Sequence, residues 1–261
     1  MCAGAGGRVT SFAEARRSFH DALLEKALRA NEDGIRPNAD VTSAAIAKSV
    51  FTRLGAEAFG ARLSGQIPGN QFAIITRKFI RQVFSRLRHG RRGEWTVNPV
   101  TASGRTTIAN FKQYRHLVAL ERAARKDPEL SAVLRSGYTL TPDIVVVSLE
   151  GERGIHASIS CKWTIQSDST KNARSEGLNL IWNRKSKPAQ VAVVTGELLP
   201  SRISAIALGT DGIDCVYHFA LPELLSAVEE LGHGDSLESL KIMIAGKRLK
   251  DITHLPLDVA T

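Results

Sequence analysis

Two polar residues at the ends of neighbouring apolar runs have the residue types and spacing of a phosphodiester hydrolysis site. Asp143 precedes the apolar run Ile144–Val147, and Lys162 stands near the end of the next one. A carboxylate holds a hard divalent cation through oxygen, and the cation polarises the scissile phosphate and activates a water. A nearby ammonium positions that water or stabilises the charge that builds on the phosphate. The pair therefore predicts a metal-dependent nuclease site.

The same two residues also have a structural interpretation. A Pro-Asp pair before an apolar run is a common way for a chain to leave a turn and start a strand. A lysine at a strand end is usually solvated. Asp143 and Lys162 by themselves leave both interpretations open.

The charge balance favours an anionic partner. The chain has 35 Lys and Arg against 26 Asp and Glu, which gives a net charge of +9 at pH 7. Nucleic acid is the first such partner to consider, although a basic solvated face would give the same composition. Cations cluster within 77–92 and again within 162–187. The second cluster follows the candidate site directly, where an enzyme acting on a phosphate backbone needs positive charge.

Cysteine usage and hydropathy narrow the cellular setting. Cys2, Cys161 and Cys215 have no paired spacing, which argues against a zinc site or a disulfide framework and for a reducing, cytoplasmic location. No apolar run approaches the roughly 20 residues that a membrane span needs. The N-terminus has no basic stretch leading into an apolar one, so we expect neither a signal peptide nor a membrane partner.

Hydrophobic periodicity predicts an α/β fold built around a mixed sheet. Helices are predicted over 11–30, 42–59, 70–87, 106–125, 128–135, 170–184, 200–208 and 222–231. Strands are predicted over 94–98, 143–149, 155–164, 190–195 and 214–219, with a hairpin loop at 150–154. Trp163 and Trp182 occupy apolar positions and are expected in the core. The expected organisation is one domain, 1–261, with a mainly helical portion at 1–92, a catalytic core at 93–231 and a C-terminal segment at 232–261.

The segment 141–185 resembles the NgoMIV-type restriction endonucleases, a branch of the type II enzymes with the PD-(D/E)XK nuclease fold. The matching residues are Thr141-Pro-Asp143, Ser160-Cys-Lys-Trp-Thr164, Ser167-Asp168, Asn172-Ala-Arg-Ser-Glu176, Leu178-Asn-Leu-Ile181 and Asn183-Arg-Lys185. A Gln-x-x-Gly-x-x-Phe run, here Gln66 to Phe72, begins a helix that reaches the site in this family. The resemblance implies a PD-(D/E)XK restriction-endonuclease-like core, with a mixed sheet flanked by helices and a helical N-terminal portion.

The resemblance also implies Mg²⁺-dependent, site-specific hydrolysis of double-stranded DNA and a role for each site residue. In this family a serine, here Ser160, replaces the usual acidic residue two positions before the lysine, and the following helix supplies the carboxylate, here Glu176. Asp143, Glu176 and the backbone of Cys161 would hold the metal. Lys162 would orient the attacking water or stabilise phosphate charge, and Ser160 would help to hold a water there. Judged by its position alone, Glu176 could equally be an exposed glutamate on a helix.

Three features depart from the family pattern. Ala73 stands where the family commonly has Glu, and the loop between Asp143 and Lys162 looks short. Family members that read CCGG have the sequence Arg-Ser-Asp-Arg after the lysine strand. At the same place this chain has the segment Gln166-Ser-Asp168-Ser169. Arginine is the preferred bidentate partner of guanine, while Asp accepts from the cytosine amino group. Both recognition arginines are therefore missing and the Asp is kept.

The resemblance implies DNA contacts from the segment after the lysine strand, namely Gln166, Ser167, Asp168, Ser169, Lys171 and Arg174. Lys171 and Arg174 are candidates to replace the missing arginines. The segment could also be a polar loop that touches no base, a reader of an altered target, or part of a decayed gene product that no longer cuts.

The expected partners follow from the resemblance, which implies a short, palindromic DNA target. Such a site implies two-fold protein symmetry, so we expect a homodimer or a homotetramer on double-stranded DNA, paired in function with a DNA methyltransferase. Two alternatives remain: a DNA-binding protein of the same fold with lost or weakened cleavage, and a repair or defence nuclease with loose specificity.

Overall fold

In the part of the chain that the structure describes, six strands form one sheet whose strand order is the order of the sequence. The computed structural model describes residues 12–29, 41–55, 69–90, 98–100, 106–132, 140–148, 152–209 and 212–260. The strands are β1 Asn98–Val100, β2 Ile144–Ser148, β3 Gly154–Lys162, β4 Gln190–Thr195, β5 Cys215–His218 and β6 Leu249–Asp251.

Helices flank this sheet. They are α1 Phe12–Arg29, α2 Val41–Arg53, α3 Gly69–Gly90, α4 Arg115–Ala124, α5 Ser167–Trp182, α6 Pro200–Ala207, α7 Leu221–Glu230, α8 Gly234–Ala245 and α9 Leu255–Val259. Short 3-10 helices lie at Ile108–Asn110 and Ile252–His254, and residues 128–132 are helical. The α/β class predicted from periodicity is confirmed. No described helix is both long and apolar enough to cross a membrane.

The sheet is mixed, and this decides which strand ends meet. The strands β1, β2 and β3 are antiparallel neighbours, whereas β3 to β6 run parallel. The start of β2 therefore lies at the same edge as the carboxyl ends of the parallel strands. Along that edge, cross-strand pairing places four residues in one row: Lys162, Thr195, His218 and Asp251. Ligands of open α/β sheets commonly bind outside the carboxyl ends of the strands.

Apolar runs explain why the central strands form where they do. The side chains of Ile144–Val147 are buried, as are those from Val191 to Thr195. Strands covered on both faces show such continuous runs instead of alternation. The same core includes side chains of the N-terminal helices, with the rings of Phe19 and Phe79 centred 5.1 Å apart.

An ion-pair network ties α1 to the C-terminal part of the chain. The Arg16 guanidinium donates to both carboxylate oxygens of Glu223 at 3.0 and 2.7 Å, and it also reaches Asp251 at 3.2 Å. Burial opposes the charge on Asp251, but the Arg16 guanidinium outweighs this and holds the pKa of that carboxyl below its usual range. The division into portions at 1–92, 93–231 and 232–261 stays a prediction.

The helix predicted over 106–125 is wrong in its first half. A 3-10 turn at Ile108–Asn110 is followed by Phe111 in an extended conformation, and α4 begins only at Arg115. The intervening Gln113 is buried, and its amide accepts from the N–H of Ile155 at 3.0 Å and donates to its carbonyl at 2.7 Å. These two bonds tie Gln113 to the second residue of β3, and α4 begins only after it.

Several other boundaries also differ from the predicted ones. The helix predicted over 42–59 ends at Arg53, and Gly55 follows with a φ of 84°, a left-handed conformation that stops helices. Residues 56–59 lie outside the described residues. The strand predicted over 94–98 is found at Asn98–Val100, and residues 94–97 lie outside the described residues. The end of the helix predicted over 128–135, the last residue of the strand predicted over 143–149 and the first part of the predicted hairpin loop also lie outside them, at 133–135 and 149–151.

The C-terminal segment 232–261 contains elements that periodicity did not predict. It contributes α8, α9 and the parallel strand β6 to the fold. The strand β6 is only three residues long and carries two charges, so it has no hydrophobic pattern to detect. Trp163 is buried as expected, but Trp182 is 72% exposed at the end of α5, and its predicted place in the core is wrong.

Candidate active site

The structure brings Asp143 and Lys162 to the same edge of the sheet. Asp143 immediately precedes β2, and its Oδ2 accepts the backbone N–H of Cys161 at 2.8 Å. Lys162 directly follows Cys161 and is the last residue of β3. This juxtaposition follows from the antiparallel pairing of the two strands, in which Ile144 lies opposite Ile159.

Ser160 lies at the same edge with its hydroxyl unpaired. One step beyond the pair of Ile144 and Ile159, the register places Asp143 opposite Ser160. The Ser160 Oγ is buried and has no hydrogen-bond partner among the described residues. A buried hydroxyl without a partner costs about 1–3 kcal/mol. The hydroxyl therefore fits a site that takes up a further polar group, such as a water.

Cys161 contributes its backbone and not its thiol. Its side chain is 5% exposed, and burial together with the nearby Asp143 carboxylate raises the pKa of the thiol well above its usual range. The thiol therefore stays protonated and is a poor nucleophile. Cys161 is therefore a buried residue of β3.

Glu176 lies on α5, the helix that follows β3. Its side chain is partly buried and borders the inward stripe of Ala173, Gly177 and Leu180. Within the described ranges, no group of three or more His, Cys, Asp or Glu side chains is placed to hold a metal ion together. The predicted ligand set thus rests on two carboxylates, Asp143 and Glu176, and on a backbone group.

The predicted recognition segment is the first turn of a helix. The helix expected from residue 170 begins three residues earlier, at Ser167, with Gln166 as its N-cap. Gln166 and Asp168 are exposed. Asp168 lies in the first turn, where a negative charge interacts favourably with the helix dipole, and this explains the earlier start. The side chains of Ser167 and Ser169 lie outside the described part of the structure.

Lys171 and Arg174 differ in their surroundings. Lys171 is exposed on α5. Arg174 is partly buried, and its Nη2 donates to the carbonyl of Ala205 in α6 at 2.5 Å. Arg174 would have to give up this contact to reach a base, whereas Lys171 would not.

The helix α3 reaches the end of β3, as the resemblance implies. Its first residue is Gly69, and the ring of Phe72 meets that of Trp163 edge-on with centroids 5.2 Å apart. Trp163 follows Lys162 directly. Ala73 is partly buried against the core, and Gln66 lies outside the described residues.

Sequence reasoning missed a buried carboxylate beside this site. Glu197 follows β4 and is 3% exposed, and its Oε2 accepts the N–H of Ile165 at 2.8 Å. The available signal was a polar Thr-Gly-Glu run directly after a buried strand, at the sheet edge where ligands bind.

Comparisons with known proteins agree with one another on the kind of protein to which this chain is similar. The profile of a family described as NgoMIV restriction enzyme matches residues 19–153 and 150–261. The type II restriction enzyme NgoMIV of Neisseria gonorrhoeae is 46% identical over 281 residues, which cover 95% of this chain and 98% of that protein.

A solved structure of the restriction endonuclease PspGI with substrate DNA also aligns, with a TM-score of 0.32 and 11% identity. The alignment covers 97% of this chain and 92% of that one.

Proposed function

The chain belongs to the NgoMIV restriction enzyme family, and from that membership we propose that it is a type II restriction endonuclease that uses Mg²⁺ to hydrolyse both strands of a short DNA site. The membership confirms the resemblance found in the sequence, and the mixed sheet with flanking helices is the restriction-endonuclease-like core expected from it. One observation carries the proposal at the level of chemistry. The Asp143 carboxylate accepts a hydrogen bond from the backbone N–H of Cys161, the residue before Lys162.

The metal would be held by Asp143, Glu176 and the backbone of Cys161. The fit rests on the chemistry of the donors, because carboxylate and carbonyl oxygens are the ligands that Mg²⁺ prefers. The unpaired Ser160 hydroxyl at the same edge leaves a hydrogen-bonding position for a water. When bound there, the cation polarises the scissile phosphate and activates a water.

Lys162 would act on the charge that develops on the phosphate. Its ammonium extends from the last residue of β3, next to the backbone group that holds Asp143. A fixed positive charge near the scissile phosphate favours the transition state over the bound substrate, since the negative charge is redistributed there. Ser160 would hold the attacking water by a hydrogen bond and so orient it.

DNA would lie across the carboxyl edge of the sheet, against the start of α5. The N-terminal turn of a helix presents free backbone N–H groups, which suit phosphate oxygens. We assign the contacts with DNA to Gln166, Ser167, Asp168, Ser169, Lys171 and Arg174. Of these, Gln166, Asp168 and Lys171 are exposed and need no rearrangement to reach DNA.

A palindromic target would be read by a symmetric assembly. Two-fold symmetry of the site is matched most simply by two-fold symmetry of the protein, so we propose a homodimer or a homotetramer. A cell that carries such an enzyme needs to protect its own sites, which implies a partner DNA methyltransferase. The substrate also implies that the enzyme works in the cytoplasm.

A DNA-binding protein without cleavage is the second candidate function. It is favoured by Ala73, which removes one accessory acidic group, and by the lack of a third acidic ligand among the described residues. This protein would bind DNA in the presence of Mg²⁺ and leave it intact.

Digestion of a random-sequence DNA library in Mg²⁺, followed by sequencing of the new ends, tests the proposed function and its specificity. We expect a single dominant site that is not centred on CCGG, because Gln166 and Ser169 replace the arginines. Each lost bidentate contact costs about 1–3 kcal/mol of discrimination, and a symmetric dimer loses each contact twice. Asp168 should keep some G·C pairs in the target.

The control digestion contains a chelator in place of Mg²⁺ and should give no new ends. Ends centred on CCGG would show that the segment from Gln166 to Ser169 does not read the target. Ends with no common sequence would identify a nuclease of loose specificity.

A further inference from the structure

A four-residue link, 163–166, joins the proposed catalytic lysine to the proposed reading segment. The strand β3 ends at Lys162, and α5 begins at Ser167 with Gln166 as its N-cap. Because the link is short, a change in its path moves the first turn of α5 relative to Lys162. The contacts that hold the link therefore set the distance between Lys162 and the first turn of α5.

The first residue of the link is held by packing. The ring of Trp163 lies against Phe72 and Phe219, with centroids 5.2 Å away in each case. A Cβ added at Gly196 would overlap the indole of Trp163, so only glycine allows this approach. The N–H of Gly196 also donates to the carbonyl of Lys162 at 3.2 Å.

The far end of the link is held by Glu197. Its Oε2 accepts the N–H of Ile165, a residue that is 2% exposed, at 2.8 Å. Its Oε1 accepts the N–H groups of Leu198 and Leu199, both at 3.0 Å, where α6 is about to begin. An Arg202 Nη1 lies 3.6 Å from Oε2. One buried carboxylate thus joins the link to the start of another helix.

The backbone of Glu197 is itself anchored to the sheet. Its N–H donates to the Thr195 Oγ1 at 3.0 Å, and its carbonyl accepts from the His218 Nε2 at 2.9 Å. The His218 Nδ1 accepts the N–H of Ala220, and burial lowers the pKa of His218 to about 4. The ring is therefore neutral, with its single proton on Nε2. Both hydrogen bonds fix the backbone of Glu197, and so they also fix the position from which its carboxylate extends.

We propose that Glu197 is a positioning residue that sets the placement of the first turn of α5 relative to Lys162. Because this turn would read the bases and Lys162 would act in cleavage, Glu197 couples sequence recognition to cleavage. The inference rests on the proposed restriction activity. Glu197 would touch neither DNA nor metal, and it would act only through the N–H of Ile165. Its loss should therefore affect the discrimination between sites as well as the rate.

Glu197→Gln tests this inference with little change of shape. A glutamine has one acceptor oxygen, so it can serve Ile165 or the pair Leu198 and Leu199, but its NH₂ group faces an N–H on the other side. We expect the ratio of kcat/KM for the preferred site over sites changed at one base pair to fall by about tenfold to a hundredfold, as for a small misplacement of reacting groups. The preferred site is first identified with the parent protein.

Asp251→Asn is the matched control. Asp251 is also a buried carboxylate that accepts backbone N–H groups, from Leu221 at 3.2 Å and Thr253 at 3.1 Å, but it lies three strands away from Lys162. We expect Asp251→Asn to lower the melting temperature at least as much as Glu197→Gln does, because it also weakens the contact with Arg16. Its site discrimination should match that of the parent.

A change in stability alone would overturn the inference. If Glu197→Gln lowers the melting temperature but leaves the discrimination ratio at the parent value, Glu197 is a structural residue. If this variant does not fold, Glu197→Asp, which keeps the charge and shortens its reach, is measured on the same sites with the same two outcomes. A parent protein that cleaves no site would overturn the proposed function, and this inference with it.

Discussion

Asp143→Asn is expected to lower the rate of DNA cleavage in Mg²⁺ by about a thousandfold or more, because a divalent cation contributes several kcal/mol to such a transition state and each 1.36 kcal/mol is tenfold in rate. Asparagine keeps a side-chain oxygen that can accept the N–H of Cys161, which the aspartate accepts at 2.8 Å. The substitution therefore removes the charge that serves the metal and keeps the bond that serves the fold. We expect the melting temperature and DNA binding in Ca²⁺ to stay close to those of the parent.

Single-turnover cleavage rates and gel-shift binding in Ca²⁺ measure the two expectations separately. Asp214→Asn is the matched control, since the Asp214 carboxylate accepts the N–H of Val191 at 2.7 Å at the opposite edge of the sheet. This control should cleave like the parent. Loss of binding or folding together with activity in Asp143→Asn would identify Asp143 as a structural residue at the start of β2.

Glu176→Gln is expected to lower cleavage by about a hundredfold, because it removes one of two proposed carboxylate ligands of the metal. The effect should be large because no third acidic side chain joins the proposed set within the described residues, and Ala73 supplies no accessory carboxylate. A higher Mg²⁺ concentration should restore part of the rate if the loss is one of metal affinity. The measurement is the cleavage rate as a function of Mg²⁺ concentration.

Glu152→Gln provides the matched control on the hairpin before β3. Glu152 is exposed and pairs with Arg115 at 3.3 Å, and such a surface pair contributes about 0–1 kcal/mol to stability. We expect this variant to be close to neutral, and the same for Glu150→Gln. If a hairpin glutamate is essential and Glu176 is dispensable, the proposed ligand set is wrong.

The parts of the fold that could be predicted are those whose pattern is local. The strand β4 was predicted at its observed bounds, 190–195, because a run of buried apolar residues is bounded by Pro188 and Gly196. The helix α3 was found because its apolar residues recur at helical spacing. Asp143 and Lys162 could be placed together because a hairpin fixes which strand ends meet.

The parts that could not be predicted depend on tertiary partners. The residues before α4 have helical spacing, yet Gln113 leaves the helix to pair with the backbone of Ile155 in β3. The strand β6 exists because β5 pairs with it, and Asp251 is buried there through Arg16. Neither partner is visible in the local sequence.

The same limit applies to the candidate site. Glu197 follows a strand as many loop glutamates do, and its position is informative only once the N–H of Ile165 is seen to reach it. Trp182 has the spacing of a core residue on α5 but stands exposed where that helix ends. A resemblance over 141–185 supplied the role of Glu176, which periodicity alone would have left as a surface glutamate.

Cleavage of plasmid DNA by the parent protein and by Lys162→Ala, each with Mg²⁺ and with a chelator, tests the central claim most directly. The account predicts discrete fragments from the parent in Mg²⁺ only, and no fragments from Lys162→Ala although that variant still binds DNA in Ca²⁺. Intact plasmid with the parent protein bound to it in Mg²⁺ would contradict the account, as would a Lys162→Ala variant that cuts at the parent rate.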